Sequence, residues 1–338
     1  MLTEPAIRWV GPRRVVADDP AADRGVTLAP GRVRIEVTSA GLCGTDLSVW
    51  NGTNERAEPG TVLGHEFGGR IIAFGDGVDS MQIGDLVAVD PNLSCGRCQR
   101  CLDGRRALCI QRRLLGVDVD GGLQQTIDVD AAQLIPVPGA DPRALGLVEP
   151  LAVGIHAVDR AGIAEGARVG VIGGGPIGMA AAVEAHLRGA VCSVLEADPA
   201  RRRAIVDVGI ADSVENPWEN RSLDVVIDSV AREATVRIAL DAVRDGGSVC
   251  LVGLSHDAHL PGPESLVRRE ITLTGSFCYR TADLRRAAEI VADRGVGVIP
   301  VELVDGLDAV PQLLESLAAG RIGRGKSIVI PRITADIP

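Results

Sequence analysis

The densest chemical signal in the sequence is a group of cysteines spaced Cys95-x2-Cys98-x2-Cys101-x7-Cys109. Four thiolates this close can complete a tetrahedron around zinc and leave no position open for water, which is typical of a structural site. An iron–sulfur cluster, which also uses four cysteines, is the alternative. Four unrelated thiols would rarely lie so densely. We therefore expect a structural zinc that holds the loop at 94–113.

A second set of potential metal ligands is scattered along the first part of the chain. It comprises Cys43 in Gly-Leu-Cys-Gly-Thr-Asp, His65 and Glu66 in Gly-His-Glu, and Glu149 in Val-Glu-Pro-Leu. An isolated histidine is usually a hydrogen-bonded structural residue, and an isolated cysteine is usually buried filler. Taken one by one, these residues leave both explanations open.

A glycine-rich loop that matches G-x-G-x-x-G follows the apolar run at 169–172. Because the loop follows a predicted strand and opens a predicted helix, it is typical of dinucleotide binding rather than of a plain turn. The glycines allow a tight turn, close approach of a pyrophosphate and close helix packing, and the helix N-terminus offers N–H groups to phosphate. The residues expected at the cofactor are Gly173, Gly175, Pro176, Ile177 and Gly178.

The next predicted strand, at 192–195, runs into Glu196. A carboxylate at this position can bind both ribose hydroxyls of NAD and would repel the 2′-phosphate of NADP. Arg201 and the two arginines after it could in principle hold such a phosphate, but arginines on the opening turns of a helix are more often solvated. The sequence favours NAD, with Arg201 near the cofactor.

The chain on either side of about residue 150 shows two different patterns of apolar residues. Up to about residue 150, short β-branched runs at 33–38, 70–73 and 85–89 are separated by turn residues, which predicts a small irregular β domain. From Arg168 onward, apolar strands alternate with helical patterns, which predicts an α/β fold with a doubly wound parallel sheet. The predicted strands lie at 169–172, 192–195, 224–227, 248–252 and 271–274, the helices at 176–188, from 199 and at 282–294, and a last strand at 327–330 could return to the first domain.

Bulk properties narrow the class of protein. A chain of 338 residues predicts two domains, and a net charge of -10 argues against nucleic acid as a partner. The first ten residues do not have the pattern of a signal peptide, and no apolar run is long enough to span a bilayer. We therefore expect no membrane partner and a cytoplasmic location, where the eight cysteines would serve metals rather than disulfides.

The order of the motifs resembles the zinc-containing medium-chain dehydrogenase/reductase family, in the branch of the sorbitol, threonine, butanediol and aminocyclitol dehydrogenases. Cys-Gly-Thr-Asp, Gly-His-Glu, the four-cysteine loop, Glu-Pro-Leu-Ala-Val-Gly and the glycine-rich loop follow in the family's order along nearly the whole chain. The resemblance implies a Rossmann domain inserted into a mostly β, GroES-like catalytic domain. We place the catalytic domain at 1–151, the dinucleotide-binding domain at 152–280 and the return to the catalytic domain at 281–338.

The resemblance also assigns the scattered ligands. It implies that Cys43, His65 and Glu66 bind a catalytic zinc and that Glu149 lies beside the metal, to bind it or its water. A zinc with three protein ligands keeps a position for the substrate oxygen, whose bond it polarises. The chain would then hold two zinc ions and transfer hydride between a secondary alcohol and NAD.

The proton route departs from the family pattern. By resemblance, Thr45 accepts the alcohol proton. Many members have a histidine five residues after the metal cysteine, where this chain has Ser48, which does not titrate near neutral pH. Water, or Glu66 and Glu149, would have to carry the proton onward. Asp46 is explained by a turn that it stabilises itself.

Candidate substrate residues come from the same comparison of motifs. Trp50 either walls the pocket or belongs to the core. Phe277 and Cys278 occupy a stretch where polyol dehydrogenases often have Phe-Arg-Tyr, and Ser48 resembles the serine of aminocyclitol dehydrogenases. We expect a polyol, cyclitol or aminocyclitol substrate, with a threonine- or butanediol-type alcohol as the alternative.

Two other classes share the expected fold, namely zinc-free quinone or enoyl reductases and a non-catalytic binding protein. The presence of Cys43, His65 and Glu66 argues against both. Family members pair the edges of their Rossmann sheets, so we expect a homodimer or homotetramer. The strand at 248–252 or the one at 271–274 would form that edge.

Overall fold

The computed structural model describes residues 6–18, 27–255, 263–320, 323 and 325–331, and the chain separates into two compact units. The first unit contains Met1–Glu149, Leu284–Val296 and Val301–Pro338, and the second contains Pro150–Asp283 and Gly297–Pro300. The domain limits predicted at residues 151 and 280 stay predictions beside these bounds.

The strands within the described residues are mostly short and rich in Val, Ile and Leu, which pack well on a pleated surface. In chain order they are β1 (Ala6–Gly11), β2 (Arg14–Asp18), β3 (Arg32–Gly41), β4 (Glu66–Phe74), β5 (Leu86–Val89), β6 (Asn92–Leu93), β7 (Arg113–Leu114), β8 (Thr126–Asp130), β9 (Leu134–Pro136), β10 (Arg168–Ile172), β11 (Val191–Leu195), β12 (Asp212–Val214), β13 (Leu223–Asp228), β14 (Val243–Leu251), β15 (Thr272–Gly275), β16 (Val301–Asp305) and β17 (Lys326–Ile330).

Several helices begin at a proline or after a capping side chain, which deals with N–H groups that have no partner inside the helix. Asp198, for example, accepts a hydrogen bond from the Arg201 N–H and so caps its helix. The helices of the described residues are α1 (Gly44–Trp50), α2 (Gln99–Leu102), α3 (Val148–Ala161), α4 (Pro176–Leu187), α5 (Pro199–Val208), α6 (Glu233–Ala242), α7 (Pro263–Arg268), α8 (Thr281–Arg294) and α9 (Val310–Ala318). None of these helices combines the length and the apolar character needed to cross a bilayer.

The first unit is organised around a sheet with the strand order β16-β17-β3-β4-β5-β9, in which β8 also pairs with β3. Antiparallel pairing sets Gly41 at the end of β3 opposite Glu66 at the start of β4. On the other side of β3, Ile328 of β17 pairs with Gly41. Apolar side chains including Ile35, Phe67 and Ile71 bury one face of this sheet and fix its register. The last strand thus returns to the first unit, as predicted.

The second unit contains a parallel sheet with the strand order β12-β11-β10-β13-β14-β15. The predicted doubly wound sheet is therefore confirmed. Four consecutive residues of β10, from 169 to 172, are buried, as in strands that are covered on both faces. Of the two strands predicted as the edge, β14 lies inside the sheet and that choice is wrong, whereas β15 is the outermost strand of the described sheet.

Candidate functional site

The structure brings Cys43, His65 and Glu66 together in the first unit, with one potential ligand atom from each within 4.8 Å of the others. Cys43 immediately precedes α1, Glu66 is the first residue of β4, and His65 directly precedes that strand. The pairing of β3 with β4 brings these segments together, because the chain leaves β3 at Gly41 directly opposite Glu66. A thiolate, an imidazole and a carboxylate are the donors that zinc prefers, and a set of three leaves a coordination position open.

Asp46 is fully buried and serves this site. Its Oδ2 accepts a hydrogen bond from the Cys43 N–H at 2.9 Å, and its Oδ1 accepts one from the Gly64 N–H at 3.0 Å. The same Oδ1 lies 3.7 Å from Nδ1 of His65. A carboxylate behind the second ring nitrogen fixes the orientation and the tautomer of a metal-binding histidine. A turn role was predicted for Asp46 from the sequence, whereas its contact with His65 was not predicted.

Asp46 and His65 each stabilise the charged form of the other. Burial raises the pKa of Asp46, but the nearby charge of His65 and the hydrogen bond from the Cys43 N–H outweigh it and hold that pKa below its usual value. Burial lowers the pKa of His65, but Asp46 and Cys43 raise it well above its usual value. A metal at this site would compete with the proton for His65, as is general for histidine ligands.

Lys326, the first residue of β17, is a further residue of the site that the sequence analysis missed. Its side chain is 3% exposed, and its ammonium forms an ion pair with Oε2 of Glu66, which is 1% exposed. Burial opposes the charge of Lys326, but Glu66, Cys43 and Asp46 hold its pKa above the ordinary value. One signal could have found it: Lys326 is the only lysine among 35 lysines and arginines in the chain.

The other residues predicted near the catalytic metal lie at varying distances from the trio. The Thr45 Oγ1 is 4.0 Å from the Cys43 Sγ. Ser48 is engaged within its own segment, because its hydroxyl donates to the Thr45 carbonyl and accepts from the Asn54 side chain. Glu149 is buried near the start of α3 but is not among the three residues whose ligand atoms converge.

The four cysteines of the predicted structural site also converge in the first unit, with their sulfur atoms within 4.8 Å of one another. The Sγ atom of Cys98 lies 3.5 Å from that of Cys101 and 3.9 Å from that of Cys109, and the Cys95–Cys101 distance is 4.0 Å. Four sulfurs about 2.3 Å from one tetrahedral zinc would be about 3.8 Å apart, so these residues fit zinc.

Backbone groups prepare this second group of thiols for metal. The N–H groups of Cys95 and Gln111 point to the Cys109 sulfur at 3.3 Å. The Cys101 backbone N–H lowers the pKa of Cys98 to about 6, whereas burial raises that of Cys101 to about 11. Donors of this kind stabilise thiolate charge, which is the form that binds metal.

The glycine-rich loop connects β10 to α4 in the second unit. Gly173 has φ of 92°, a value that strains other residues, and a Cβ on Gly178 would collide with the Gly173 carbonyl oxygen. Within the part of the chain that the structure describes, and apart from the residues adjacent in sequence, no atom lies within 4 Å of the place where a Cβ on Gly175 would stand, so the backbone there is accessible. Pro176 is the first residue of α4, and this open helix N-terminus offers N–H groups to phosphate.

Glu196 lies beside this loop, at the end of β11. Its Oε2 accepts a hydrogen bond from the Gly174 N–H at 2.8 Å, and its Oε1 accepts one from the Asp198 N–H at 2.8 Å. The Arg201 guanidinium is 3.6 Å from Oε2. The carboxylate that the sequence placed at the ribose is thus fixed at the edge of the phosphate loop, and it is partly balanced by a neighbouring cation.

The candidate substrate residues are divided between the units. Trp50 is buried in the core of the first unit, and the Arg13 guanidinium lies 5.5 Å from the centre of its ring. Phe277 is 41% exposed in the second unit and precedes Cys278, whose φ of 50° is unusual for a side-chain-bearing residue. Their roles in a substrate pocket stay predictions.

Comparison with known proteins gives two family matches. Residues 29–139 match the alcohol dehydrogenase GroES-like domain, and residues 176–293 match the zinc-binding dehydrogenase domain. The chain is 33% identical to L-galactonate-5-dehydrogenase of Escherichia coli over 77% of its own length and 79% of that protein. It is 34% identical to sorbitol dehydrogenase of Bacillus subtilis over 73% and 75%. A zinc-binding dehydrogenase from Sinorhizobium meliloti, solved with NADP, superposes with a TM-score of 0.88 at 29% identity over 98% of this chain and 100% of that one.

Proposed function

This chain belongs to the zinc-type medium-chain alcohol dehydrogenase family, and we propose that it oxidises a polyol or a related cyclic secondary alcohol with NAD. Members of this family are oxidoreductases that use zinc and a nicotinamide cofactor. The observation that carries the proposal is the convergence of Cys43, His65 and Glu66 at the junction of β3, α1 and β4.

In the proposed reaction these three residues hold the catalytic zinc. When bound, zinc supplies the positive charge that makes the alcohol a stronger acid and polarises the carbonyl in the reverse direction. Asp46 keeps the His65 ring oriented through its contact with Nδ1. Thr45, whose hydroxyl lies near the Cys43 sulfur, receives the proton of the substrate hydroxyl. Ser48 does not titrate and is bound to its own helix, so solvent, or the carboxylates of Glu66 and Glu149, takes the proton onward.

We propose a structural role for the second zinc, held by Cys95, Cys98, Cys101 and Cys109. A set of four thiolates leaves no position for substrate. The loop has little apolar material of its own, and Leu102 and Ile110 are exposed. Metal ligation would therefore stabilise this loop in place of a hydrophobic core. A reducing cytoplasm would keep the four thiols free to bind the metal.

NAD is the preferred cofactor in this proposal, because Glu196 would face the 2′-phosphate of NADP with a negative charge. The expected ratio of kcat/KM for NAD over NADP is about tenfold or more, the effect of a single well-placed charge. Glu196→Ala should reduce the ratio, and Glu215→Ala, which removes an exposed carboxylate 3.4 Å from Arg202, should not. Steady-state kinetics with both cofactors gives the ratios; an unchanged ratio in Glu196→Ala would remove Glu196 from the cofactor site.

The substrate class follows from the relatives and from the candidate pocket residues. The curated relatives act on a sugar acid and on sorbitol by their names, and others are threonine dehydrogenases. Neither Ser48 nor Cys278 offers a charged group to bind the carboxylate of an amino acid, which favours polyols, cyclitols and aminocyclitols over threonine. A panel of polyols, cyclitols, aminocyclitols, threonine and 2,3-butanediol, assayed by NADH formation, tests this. Preference for threonine or butanediol would overturn the proposed substrate class.

A further inference from the structure

Lys326 has no place in the reaction described so far, although it is buried among the groups that would bind the metal. It is the chain's one lysine, and each of the other basic positions counted with it carries arginine. A buried ammonium is costly unless a negative partner compensates it. Here that partner is Glu66, one of the three candidate ligands of the catalytic metal.

Three strands define the space that the pair occupies. Gly41 of β3 is paired with Glu66 of β4 on one side and with Ile328 of β17 on the other. A Cβ at Gly41 would collide with both Glu66 Oε2 and Lys326 Cε. The absence of a side chain at Gly41 therefore creates the space in which the ammonium and the carboxylate meet.

The carboxylate of Glu66 is both the ion-pair partner of Lys326 and a candidate ligand of the metal. Its Oε2 forms an ion pair with the Lys326 ammonium, and both side chains are almost completely buried. The nearby Cys43 and Asp46 also act on Lys326 electrostatically. As metal ligands, a thiolate and a carboxylate would together carry two negative charges, and the ammonium would offset part of that charge.

We propose that Lys326 is a positioning residue that acts through Glu66: its ammonium draws on the Glu66 carboxylate and weakens the donation of that carboxylate to the metal, so that the catalytic site binds zinc less tightly than Cys43, His65 and Glu66 alone would. The inference rests on the proposed catalytic role of this site. It explains why a cation stands where it repels a metal ion: a less strongly neutralised zinc keeps more positive charge for the substrate oxygen.

The test compares zinc binding by the whole protein and by Lys326→Met, which keeps the length of the side chain and removes its charge. Zinc is first removed from the catalytic site with a chelator while metal analysis follows the zinc that remains per chain. Competition with the same chelator then measures rebinding, without alcohol or cofactor. Loss of a partner that supports a ligand commonly costs about 10–100-fold in metal affinity. Because the Lys326 ammonium opposes donation by Glu66 instead of supporting it, we expect an effect of similar size and opposite sign, with Lys326→Met binding zinc at least about tenfold more tightly.

The control that separates charge from packing is the same substitution in a Glu66→Gln background. Because the effect passes through Glu66, Lys326→Met should change zinc affinity there by less than about threefold, as expected for sites whose interaction has been removed. Lys326→Arg, which retains the charge, should bind zinc within about threefold of the wild type. Weaker zinc binding by Lys326→Met, or an equal effect in both backgrounds, would overturn the proposal.

A measurement on the wild type covers the case in which Lys326→Met does not fold. Lysine labelled with 15N at Nζ gives one side-chain ammonium signal, because the chain has one lysine. Zinc added to the chelator-treated protein should shift this signal, and it should shift less in Glu66→Gln. A signal that zinc does not move would overturn the proposal. Because no alcohol oxidation is measured, these results are independent of whether the protein oxidises the proposed substrates.

Discussion

Asp46 has a local role in its own turn and a second role, at the candidate metal site, through residues further along the chain. Within its own segment it accepts the Cys43 N–H and stabilises the start of α1. Its other oxygen reaches across the sheet to Gly64 and His65, residues that no local pattern connects with it. The sequence could predict the turn, but it could not predict the contact with His65, because that contact joins α1 to a segment almost twenty residues further along the chain.

Asp46→Asn should therefore weaken zinc binding at the catalytic site by about 10–100-fold, because the amide no longer fixes His65 with a charge. Chelator competition followed by metal analysis measures this, and the four-cysteine site should keep its zinc. Asp130→Asn, which alters a capping box of the same kind at the start of the turn Ala131–Gln133, is the matched control. Equal zinc affinity in Asp46→Asn and the wild type would contradict the role of Asp46.

Asp228 predicts a pH dependence of stability in the second unit. It ends β13, its Oδ1 accepts hydrogen bonds from Val230 and Ala231, and its Oδ2 has no partner among the described residues. Burial raises its pKa above 3.8 despite these bonds. Between pH 3.8 and the raised pKa, the folded protein keeps a proton that the unfolded chain has lost, so stability falls as pH rises.

Asp228→Asn should remove this loss and be at least as stable as the wild type at pH 7, gaining about 1.4 kcal/mol for each unit by which the pKa was raised. Urea unfolding from pH 4 to pH 7 gives the free energies of unfolding. Asp224→Asn on the same strand is the opposite control, because its carboxyl has a pKa lowered by Arg168 and Arg244 and its loss should destabilise the protein more as pH rises. A difference between wild type and Asp228→Asn that does not vary with pH would contradict the assignment.

At the scale of elements, local patterns predicted the parallel sheet well. The strands at 169–172 and 192–195 and the helix from Pro176 lie within a residue or two of β10, β11 and α4. These elements are apolar, regular and bounded by glycine or proline, so the local sequence contains most of the information. The hairpin of β1 and β2 was missed, because its register is set by pairing rather than by a strict alternation of residue types.

The junction of β3, β4 and β17 could not be predicted, because it joins segments far apart in sequence. The last strand was expected to return to the first domain, but the register that sets Gly41 beside both Glu66 and Ile328 is visible only in the sheet. Lys326 was not predicted as a site residue, because its position beside Glu66 depends on this pairing of distant strands. That it is the only lysine of the chain can be read from the sequence.

Gly41→Ala tests this junction. The new methyl group would displace Glu66 and Lys326, and overpacking of a buried position typically costs about 1–3 kcal/mol. We expect a lower free energy of unfolding together with loss of the catalytic zinc. Gly44→Ala is the matched control, because its added Cβ at the start of α1 would meet no atom within 4 Å among the described residues other than its chain neighbours. If Gly41→Ala kept both its stability and its zinc, the proposed packing of the pair would be wrong.

At the scale of the whole molecule, each compact unit contains a distinct part of the chemistry. The first contains the two groups of candidate zinc ligands, and the second contains the glycine-rich loop and Glu196. The family resemblance, the fold class and the use of zinc and a nicotinamide cofactor were all predicted from the sequence and are confirmed. A homodimer or homotetramer stays a proposal, with β15 as the outermost strand available for pairing between copies.

The most direct test of the central claim is the zinc content of the wild type and Cys43→Ser, measured on the same samples that are assayed for NAD-linked alcohol oxidation. We predict about two zinc ions per chain in the active wild type and about one, with alcohol oxidation reduced by at least about a hundredfold, in Cys43→Ser. Two zinc ions per chain in a fully active Cys43→Ser would contradict the assignment of the catalytic site to Cys43, His65 and Glu66.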